Sequence, residues 1–164
     1  MIGGYGKVVE IDEPKFGRRK NHKGRIIEGT WVFGGIETLD KTKCFFVPVE
    51  NRNQITLLEF IKRFILPGTT IVSDCWKAYN CLETEGYLHL RVNHSYNFVD
   101  PDTGAHTNNI EREWRDLRSK IQKMGRKVDY EGHFHRLMFI RKFKSTSSAV
   151  HEFWLHVGLS LIHI

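Results

Sequence analysis

Three acidic residues stand where carboxylates would be expected to bind hard divalent cations. Asp12 ends the first predicted strand, Asp74 ends a later buried strand, and Glu111 lies in the first turn of a long predicted helix. Strand ends in an α/β sheet open onto the crevice where ligands bind, and carboxylate oxygens suit Mg²⁺ or Mn²⁺. Two such ions would activate a nucleophile and stabilise a leaving oxygen in phosphoryl transfer.

Each of these acids also has a purely structural interpretation. Asp12 could be a solvated residue on the exposed face of its strand, and Asp74 could cap a short turn over residues 76–79. Glu111 stands three residues after Asn108 and could complete a capping box with it. Composition and periodicity leave both kinds of interpretation open.

Basic residues accompany two of the three acids. The segment 15–25 follows Asp12 and contains six basic residues and no acid, among them Arg18, Arg19 and Lys20. On the predicted helix, Arg115 and Arg118 follow Glu111 at i+4 and i+7 and therefore share its face. A carboxylate that binds metal and arginines that contact phosphate would point the same way. These five basic residues are our candidates for DNA contact.

Length, charge and cysteine content exclude several classes of protein. The 164 residues carry 25 Lys and Arg against 19 Asp and Glu, a net charge of +6, in an ordinary globular composition. No apolar run reaches the roughly 18–20 residues that a membrane span needs, and the N-terminus lacks a signal-peptide pattern. Three widely spaced cysteines argue against a disulfide framework and a zinc ribbon. We therefore expect a soluble, intracellular protein with a polyanionic partner.

Hydrophobic periodicity predicts the elements that would position these residues. A strand, a crossover helix and a further strand imply a parallel pair, and the whole pattern predicts a mixed α/β sheet flanked by helices. Thr56 with Glu59 resembles a capping box at the first helix, and the basic segment 15–25 is predicted to be a loop. The predicted strands are 7–13, 30–36, 44–49, 69–73 and 87–93, and the predicted helices are 55–65, 106–124 and 134–143.

Several strings in the chain together resemble a known family. They are VEIDE (9–13), WVFGGIE (31–37), PGTTIVSDCWKAY (67–79), VNHSYNFVDPDTGAHTNNIE (92–111) and WRDLR (114–118). This combination resembles the Merlin superfamily of DDE transposases, which is related to bacterial insertion-sequence transposases of the ISXO-like domain type. The resemblance runs from about residue 7 to residue 143, nearly the whole chain.

The resemblance implies an RNase H-like fold with Asp12, Asp74 and Glu111 as its DDE triad. The 36 residues between Asp74 and Glu111 match the spacing of this superfamily. The implied activity is metal-dependent DNA cleavage and strand transfer, with two Mg²⁺ or Mn²⁺ ions in one site. The implied partners are transposon ends and target DNA, bound by a homodimer or higher oligomer. The implied location is the nucleus in a eukaryote, and otherwise the cytoplasm or nucleoid.

Three further candidate residues lie within the long motif over residues 92–111. At both of its ends the chain differs from its relatives. His94, His106 and Asn108 could position DNA or a water molecule, although a structural role is as plausible for the histidines. Residues 1–144 are predicted to form the catalytic domain and 145–164 a tail, whose last six residues resemble translated sequencing-adapter DNA. No cysteine or histidine cluster lies ahead of the first predicted strand in these 164 residues. The alternative function is a non-catalytic, transposase-derived DNA-binding protein or a truncated inactive copy.

Overall fold

A computed structural model describes residues 1–17, 29–93, 99–100, 104–121 and 129–143. The strands within these residues are β1 (Ile2–Gly3), β2 (Val8–Asp12), β3 (Lys15–Phe16), β4 (Thr30–Glu37), β5 (Cys44–Val49), β6 (Ile65–Leu66), β7 (Thr70–Asp74) and β8 (Leu88–Val92). The helices are α1 (Gln54–Phe64), α2 (Asn108–Ile121) and α3 (Tyr130–Lys142), with a short 3-10 helix at Lys77–Tyr79. The described helices are all too short or too polar to cross a membrane.

Six of these strands form one mixed sheet. β5, β4 and β2 are antiparallel neighbours, whereas β2, β7 and β8 are parallel neighbours. β3 continues along β4 beyond Pro14, whose carbonyl accepts a hydrogen bond from the Val32 N–H. The predicted mixed α/β sheet is therefore present, and β2 is the strand where its antiparallel and parallel halves meet.

Apolar side chains cover both faces of the sheet. α1 packs on one face through Leu57 and Ile61, and α2 packs on the other through Ile110 and Trp114. A Cβ atom at Gly34 of β4 would lie 2.4 Å from the Trp114 ring, so a side chain at that position would push the helix away. The apolar face of α2 therefore lies directly on the sheet.

Strand β2 is buried on both faces, which differs from the half-exposed strand that its alternating pattern predicted. Val9 and Ile11 lie on the α1 side and are fully buried. Glu10, on the opposite face, is only 1% exposed because the N-terminus of α2 covers it. The alternation of apolar and acidic residues therefore reports two different buried environments.

The ends of the helices depart from the sequence-based boundaries. α1 is capped by Asn53, whose side-chain oxygen accepts from the Thr56 N–H at 2.9 Å, so the predicted capping box of Thr56 with Glu59 is wrong. α3 begins four residues earlier than predicted, with Asp129 as its N-cap. The predicted loop 15–25 starts as strand β3, and its residues 18–25 lie outside the described part of the chain.

Candidate active site

Asp12 and Asp74 occupy adjacent strand ends. β2 and β7 are parallel, with Val8 opposite Thr70, and each strand ends four residues later. Continuing this register places the two aspartates side by side at the carboxyl edge of the sheet. Their carboxylates also cap local backbone, since Asp12 accepts from the Glu13 N–H at 2.8 Å and Asp74 from the Trp76 N–H at 2.9 Å. Asp74 thus accepts a hydrogen bond from the residue that precedes the 3-10 helix, but the N-cap of that helix is Trp76, so the N-cap interpretation of Asp74 is wrong.

The third acid reaches this edge because a buried carboxylate holds the start of α2. Oε2 of Glu10 accepts hydrogen bonds from the backbone N–H groups of Asn109 and Ile110 at 2.8 and 3.0 Å, and Oε1 accepts from the Asn109 side chain at 2.6 Å. A carboxylate at a helix N-terminus satisfies unpaired N–H groups and the helix dipole. Glu10 precedes Asp12 by two residues on the same strand face, so it fixes the first turn of α2, which carries Glu111, next to Asp12.

The Glu111 carboxylate lies in a hydrogen-bonded turn at the helix start. Its Oε1 accepts from the Thr107 hydroxyl at 2.9 Å, and its N–H donates to the Thr107 carbonyl. Asn108 is the first residue of α2 and is exposed, and Thr107 precedes the helix. The Glu10 carboxylate accepts from the N–H groups at the helix start and thereby caps it. The contacts around Glu111 thus run to Thr107 and differ from the capping box with Asn108 that we considered.

The negative charges of Asp74 and Glu111 both act on Asp12. Burial, together with these two charges, raises the pKa of Asp12 from 3.8 to about 6. The hydrogen bond from the Glu13 N–H opposes this rise. Like charges that share a site disfavour simultaneous ionisation. A divalent cation between them would remove this repulsion.

Glu13 adds a fourth carboxylate at the strand ends, and unlike the other three it is buried. Burial and the negative charges of Asp12 and Asp74 raise its pKa from 4.5 to about 7, although the hydrogen bond donated by the Tyr79 hydroxyl opposes this rise. Arg52 lies 3.7 Å from Glu13 and partly compensates its charge. Glu13 therefore has a cationic and a hydroxyl partner.

The donor chemistry of the strand ends suits a hard cation, although the described residues form no closed cage. Within those residues, no group of three His, Cys, Asp or Glu side chains is arranged to hold one metal ion. Mg²⁺ is usually bound through one or two carboxylates and keeps several waters, which substrate phosphates replace. Asp12 and Asp74 offer such a pair, with Glu111 close by.

The other predicted site residues fall into three groups. His106 is near the helix start, with Nδ1 3.5 Å from Glu10, and Asn108 is exposed beside it. Arg115 is exposed on α2, and the Arg118 guanidinium lies over the Phe16 ring at 5.5 Å. Predicted residues outside the described part of the chain are Arg18, Arg19, Lys20 and His94, together with the tail 145–164.

Sequence reasoning missed several residues that build this site. Glu10 carries the only local signal, since it lies two residues before Asp12 within VEIDE, a pattern that is equally typical of a polar strand face. Nothing in the local pattern marks Arg52 as a partner of Glu13. His89 was missed as well. Its Nε2 lies 2.8 Å from the Ser73 hydroxyl beside Asp74, and burial lowers its pKa.

Comparison with known proteins yields a family match and a fold match. A family model described as an ISXO2-like transposase domain matches residues 3–144. An uncharacterised transposase-like protein of Haemophilus influenzae is 29% identical over 83 residues, which is 51% of this chain and 66% of that protein. The match thus spans slightly less than two thirds of that relative.

Among solved structures, the chain is similar to two retroviral integrase catalytic cores. The HTLV-2 integrase catalytic core domain, a dimeric form in complex with magnesium, gives a TM-score of 0.53 at 11% identity over 85% of this chain and 87% of that one. The BIV integrase catalytic core gives 0.47 at 13% identity over 94% and 97%. The predicted RNase H-like α/β fold is confirmed.

Proposed function

The chain belongs to the ISXO2-like transposase domain family, and from this premise we propose that it carries out metal-dependent DNA strand cleavage and strand transfer. The observation that carries this proposal is the meeting of Asp12 and Asp74 at adjacent parallel strand ends, with Glu111 brought to them by the clamped start of α2. Carboxylates that lie close together in a partly buried site repel one another, and a bound cation would offset that repulsion.

The proposed ligands are Asp12, Asp74 and Glu111, which would hold two Mg²⁺ or Mn²⁺ ions. Bound divalent ions supply an activated water or 3′-hydroxyl and stabilise the leaving oxygen of an in-line displacement. In this proposal the aspartates would hold the ions next to the scissile phosphate, and the hydrogen bonds of Glu10 to the start of α2 would keep Glu111 within reach of them. Both cleavage and joining are displacements at phosphorus, so one set of residues serves both.

The proposed DNA contacts extend from the carboxylates along α2. Arg115 shares the face of Glu111 and is exposed, so its guanidinium can reach a phosphate on that face. Arg118 would contact phosphate from its position over Phe16. The basic residues at 18–20 remain predicted contacts. His94, His106 and Asn108 remain predicted auxiliary residues that position DNA or water.

Assembly and location follow from the proposed reaction. Holding two transposon ends together needs at least two catalytic domains, so we propose a homodimer or higher oligomer. The HTLV-2 core, to which the fold is similar, is described as dimeric. The nucleus of a eukaryotic host, or the nucleoid of a bacterial one, is where such a protein would meet its DNA.

A cleavage and joining assay tests the proposal. Labelled DNA duplex is incubated with Mn²⁺ and wild type, Asp74→Ala, Asp74→Asn or Asp116→Ala. Asparagine keeps an oxygen to accept from the Trp76 N–H and removes only the charge, while Asp116 is an exposed acid on the same helix as Glu111. We expect cleavage and joined products from wild type and Asp116→Ala, and none from the Asp74 variants.

Three outcomes would contradict all or part of this proposal in different ways. Salt-dependent binding without cleavage by the folded wild type would favour the non-catalytic DNA-binding alternative. Cleavage that persists in Asp74→Asn would show that the carboxylate at this strand end is not required. A product that is cleaved but never joined would limit the activity to that of a nuclease.

A further inference from the structure

A stack of one cation and two indoles lies beside the candidate active site. The Arg52 guanidinium lies 4.7 Å from the ring centre of Trp31 and 4.2 Å from that of Trp76. The Trp76 indole N–H donates to the Arg52 carbonyl at 3.3 Å, and the guanidinium lies 3.7 Å from Glu13. We call Trp31, Arg52 and Trp76 the indole–arginine stack. Its order is fixed by these contacts.

The outer member of the indole–arginine stack is exposed. The residue Trp76 is 37% exposed and the side chain of Arg52 is 40% exposed, although the contacts above hold both in place. A large aromatic ring gains most by burial, so a ring that is held rigid yet open to solvent is suited to contact a partner. Tyr5 shows the contrast, since it is 95% exposed at the amino edge of the sheet, away from the carboxylates.

The position of Trp76 links the indole–arginine stack to the carboxylates. Trp76 follows Asp74 by two residues, and its backbone N–H donates to the Asp74 carboxylate. Arg52 is paired with Glu13, the neighbour of Asp12. A DNA strand whose phosphate lies at Asp12 and Asp74 would therefore place an adjoining nucleotide at Trp76.

We propose that Trp76, backed by Arg52, stacks on an unpaired base of the DNA strand next to the phosphate that lies at the carboxylates. This inference rests on the proposed DNA-cleaving function and adds a substrate feature to it. A paired base within a duplex has both faces covered by its neighbours, so only an unpaired base offers a face to an indole. Stacking on an aromatic ring tolerates every base, and the guanidinium adds positive charge next to the strand.

The test measures a binding preference in the presence of EDTA, so that it does not depend on catalysis. Anisotropy compares a blunt labelled duplex with the same duplex carrying a short unpaired 3′ tail. We expect wild type to bind the tailed duplex about tenfold more tightly than the blunt one. Trp76→Ala should abolish that ratio and Trp76→Phe should retain most of it. Tyr5→Ala, an exposed aromatic at the other edge, should match wild type.

The ratio separates stacking from a general loss of binding. A misfolded variant binds both duplexes more weakly. In that case Trp76→Phe, which keeps a smaller aromatic ring, shows whether the ratio of affinities depends on the ring. A wild type without preference, or a Trp76→Ala variant with an unchanged ratio, overturns the inference. If cleavage fails while the ratio behaves as expected, the proposed function is wrong and the base-stacking site stands. If cleavage succeeds without any preference, only the base-stacking site is wrong.

Discussion

At the amino edge of the sheet a buried carboxylate is surrounded by positive charge, whereas at the carboxyl edge carboxylates face one another. Glu37 is 1% exposed, with the ammonium groups of Lys7 and Lys43 at 3.8 and 3.7 Å and the Gly3 N–H at 3.3 Å. Nearby, the Thr42 hydroxyl and backbone N–H lower the pKa of Asp40. Negative charge at this edge is neutralised by the chain itself.

The carboxyl edge is arranged in the opposite way. Burial and the neighbouring acids Asp74 and Glu111 raise the pKa of Asp12 to about 6. Among the described residues, neither Asp12 nor Asp74 forms an ion pair with a lysine or arginine. The same sheet thus builds acids that stabilise the fold at one edge and acids that destabilise it at the other. The difference teaches that the compensation by lysines seen at the amino edge is missing for Asp12 and Asp74 within the described residues, as the proposed cation site would require.

The largest expected effect concerns Glu10, a carboxylate whose negative charge is compensated by N–H groups at the start of α2. Glu10→Ala removes an acceptor from two helix N–H groups that stay buried, so we expect the free energy of unfolding to fall by about 3–5 kcal/mol. Glu37→Ala is the matched control, because its lysines are half exposed and can return to water, at a cost of about 1 kcal/mol. Urea unfolding measures both. Equal losses in the two variants would contradict the distinction between fixed and mobile partners.

Asp12→Asn tests the carboxylates of the carboxyl edge. The measured quantity is the free energy of unfolding as a function of pH, with EDTA present. The folded-state pKa of Asp12 lies above its usual 3.8, at about 6, so ionisation costs the wild type stability as pH rises through this range. The free energy of unfolding of the variant, relative to that of wild type, should therefore increase between pH 4 and pH 8, by up to about 3 kcal/mol. Urea unfolding across this range gives the difference, and a constant or shrinking difference would be contrary to expectation.

Asp40→Asn is the control from the amino edge. The pKa of Asp40 is lowered in the folded state, first by the Thr42 hydroxyl, so its ionised form favours folding. That contribution is present above the usual 3.8 and is lost only as pH falls below it. Asp40→Asn should therefore have a lower free energy of unfolding than wild type. This variant should not become more stable relative to wild type between pH 4 and pH 8.

A divalent cation should reverse the cost at the carboxyl edge. Mn²⁺ at about one hundred times its dissociation constant should stabilise wild type by about 2–3 kcal/mol. The effect should be larger at pH 8 than at pH 5, because protonated Asp12 is a poor ligand. Thermal unfolding with and without Mn²⁺ measures it. Asp74→Asn should lose the stabilisation while Glu37→Gln retains it, and identical stabilisation of both variants would place the cation elsewhere.

The elements of the fold were predictable where the signal was local. β4 and β5 match their predicted ranges closely, because two short apolar runs joined by a polar turn suffice to specify a hairpin. The strand ends at Asp12 and Asp74 were predictable for the same reason. The capping of α1 was not, because Asn53 and Thr56 offer competing N-caps and the backbone conformation decides between them.

The support of the site could not be read from local pattern. Glu10 contacts Asn109 and Ile110, 99 and 100 residues away, and a strand residue that looks solvated becomes buried only once α2 lies across it. Arg52 follows β5 in the chain, and only the sheet brings it to Glu13 and Trp76. Local periodicity specifies which face a residue is on, and tertiary packing decides what covers that face.

The smallest expected effect concerns the basic face of α2, which would extend the contrast from metal to DNA. Arg115 is exposed, so Arg115→Gln should lower the slope of log affinity against log salt by about one, without changing stability. Arg63→Gln on α1, the helix on the other side of the sheet, should leave the slope unchanged. Anisotropy across a salt series in EDTA measures both slopes. An equal fall in the two variants would show that the chain attracts DNA through its net charge, whereas a fall confined to Arg115 places a phosphate on the face that carries Glu111.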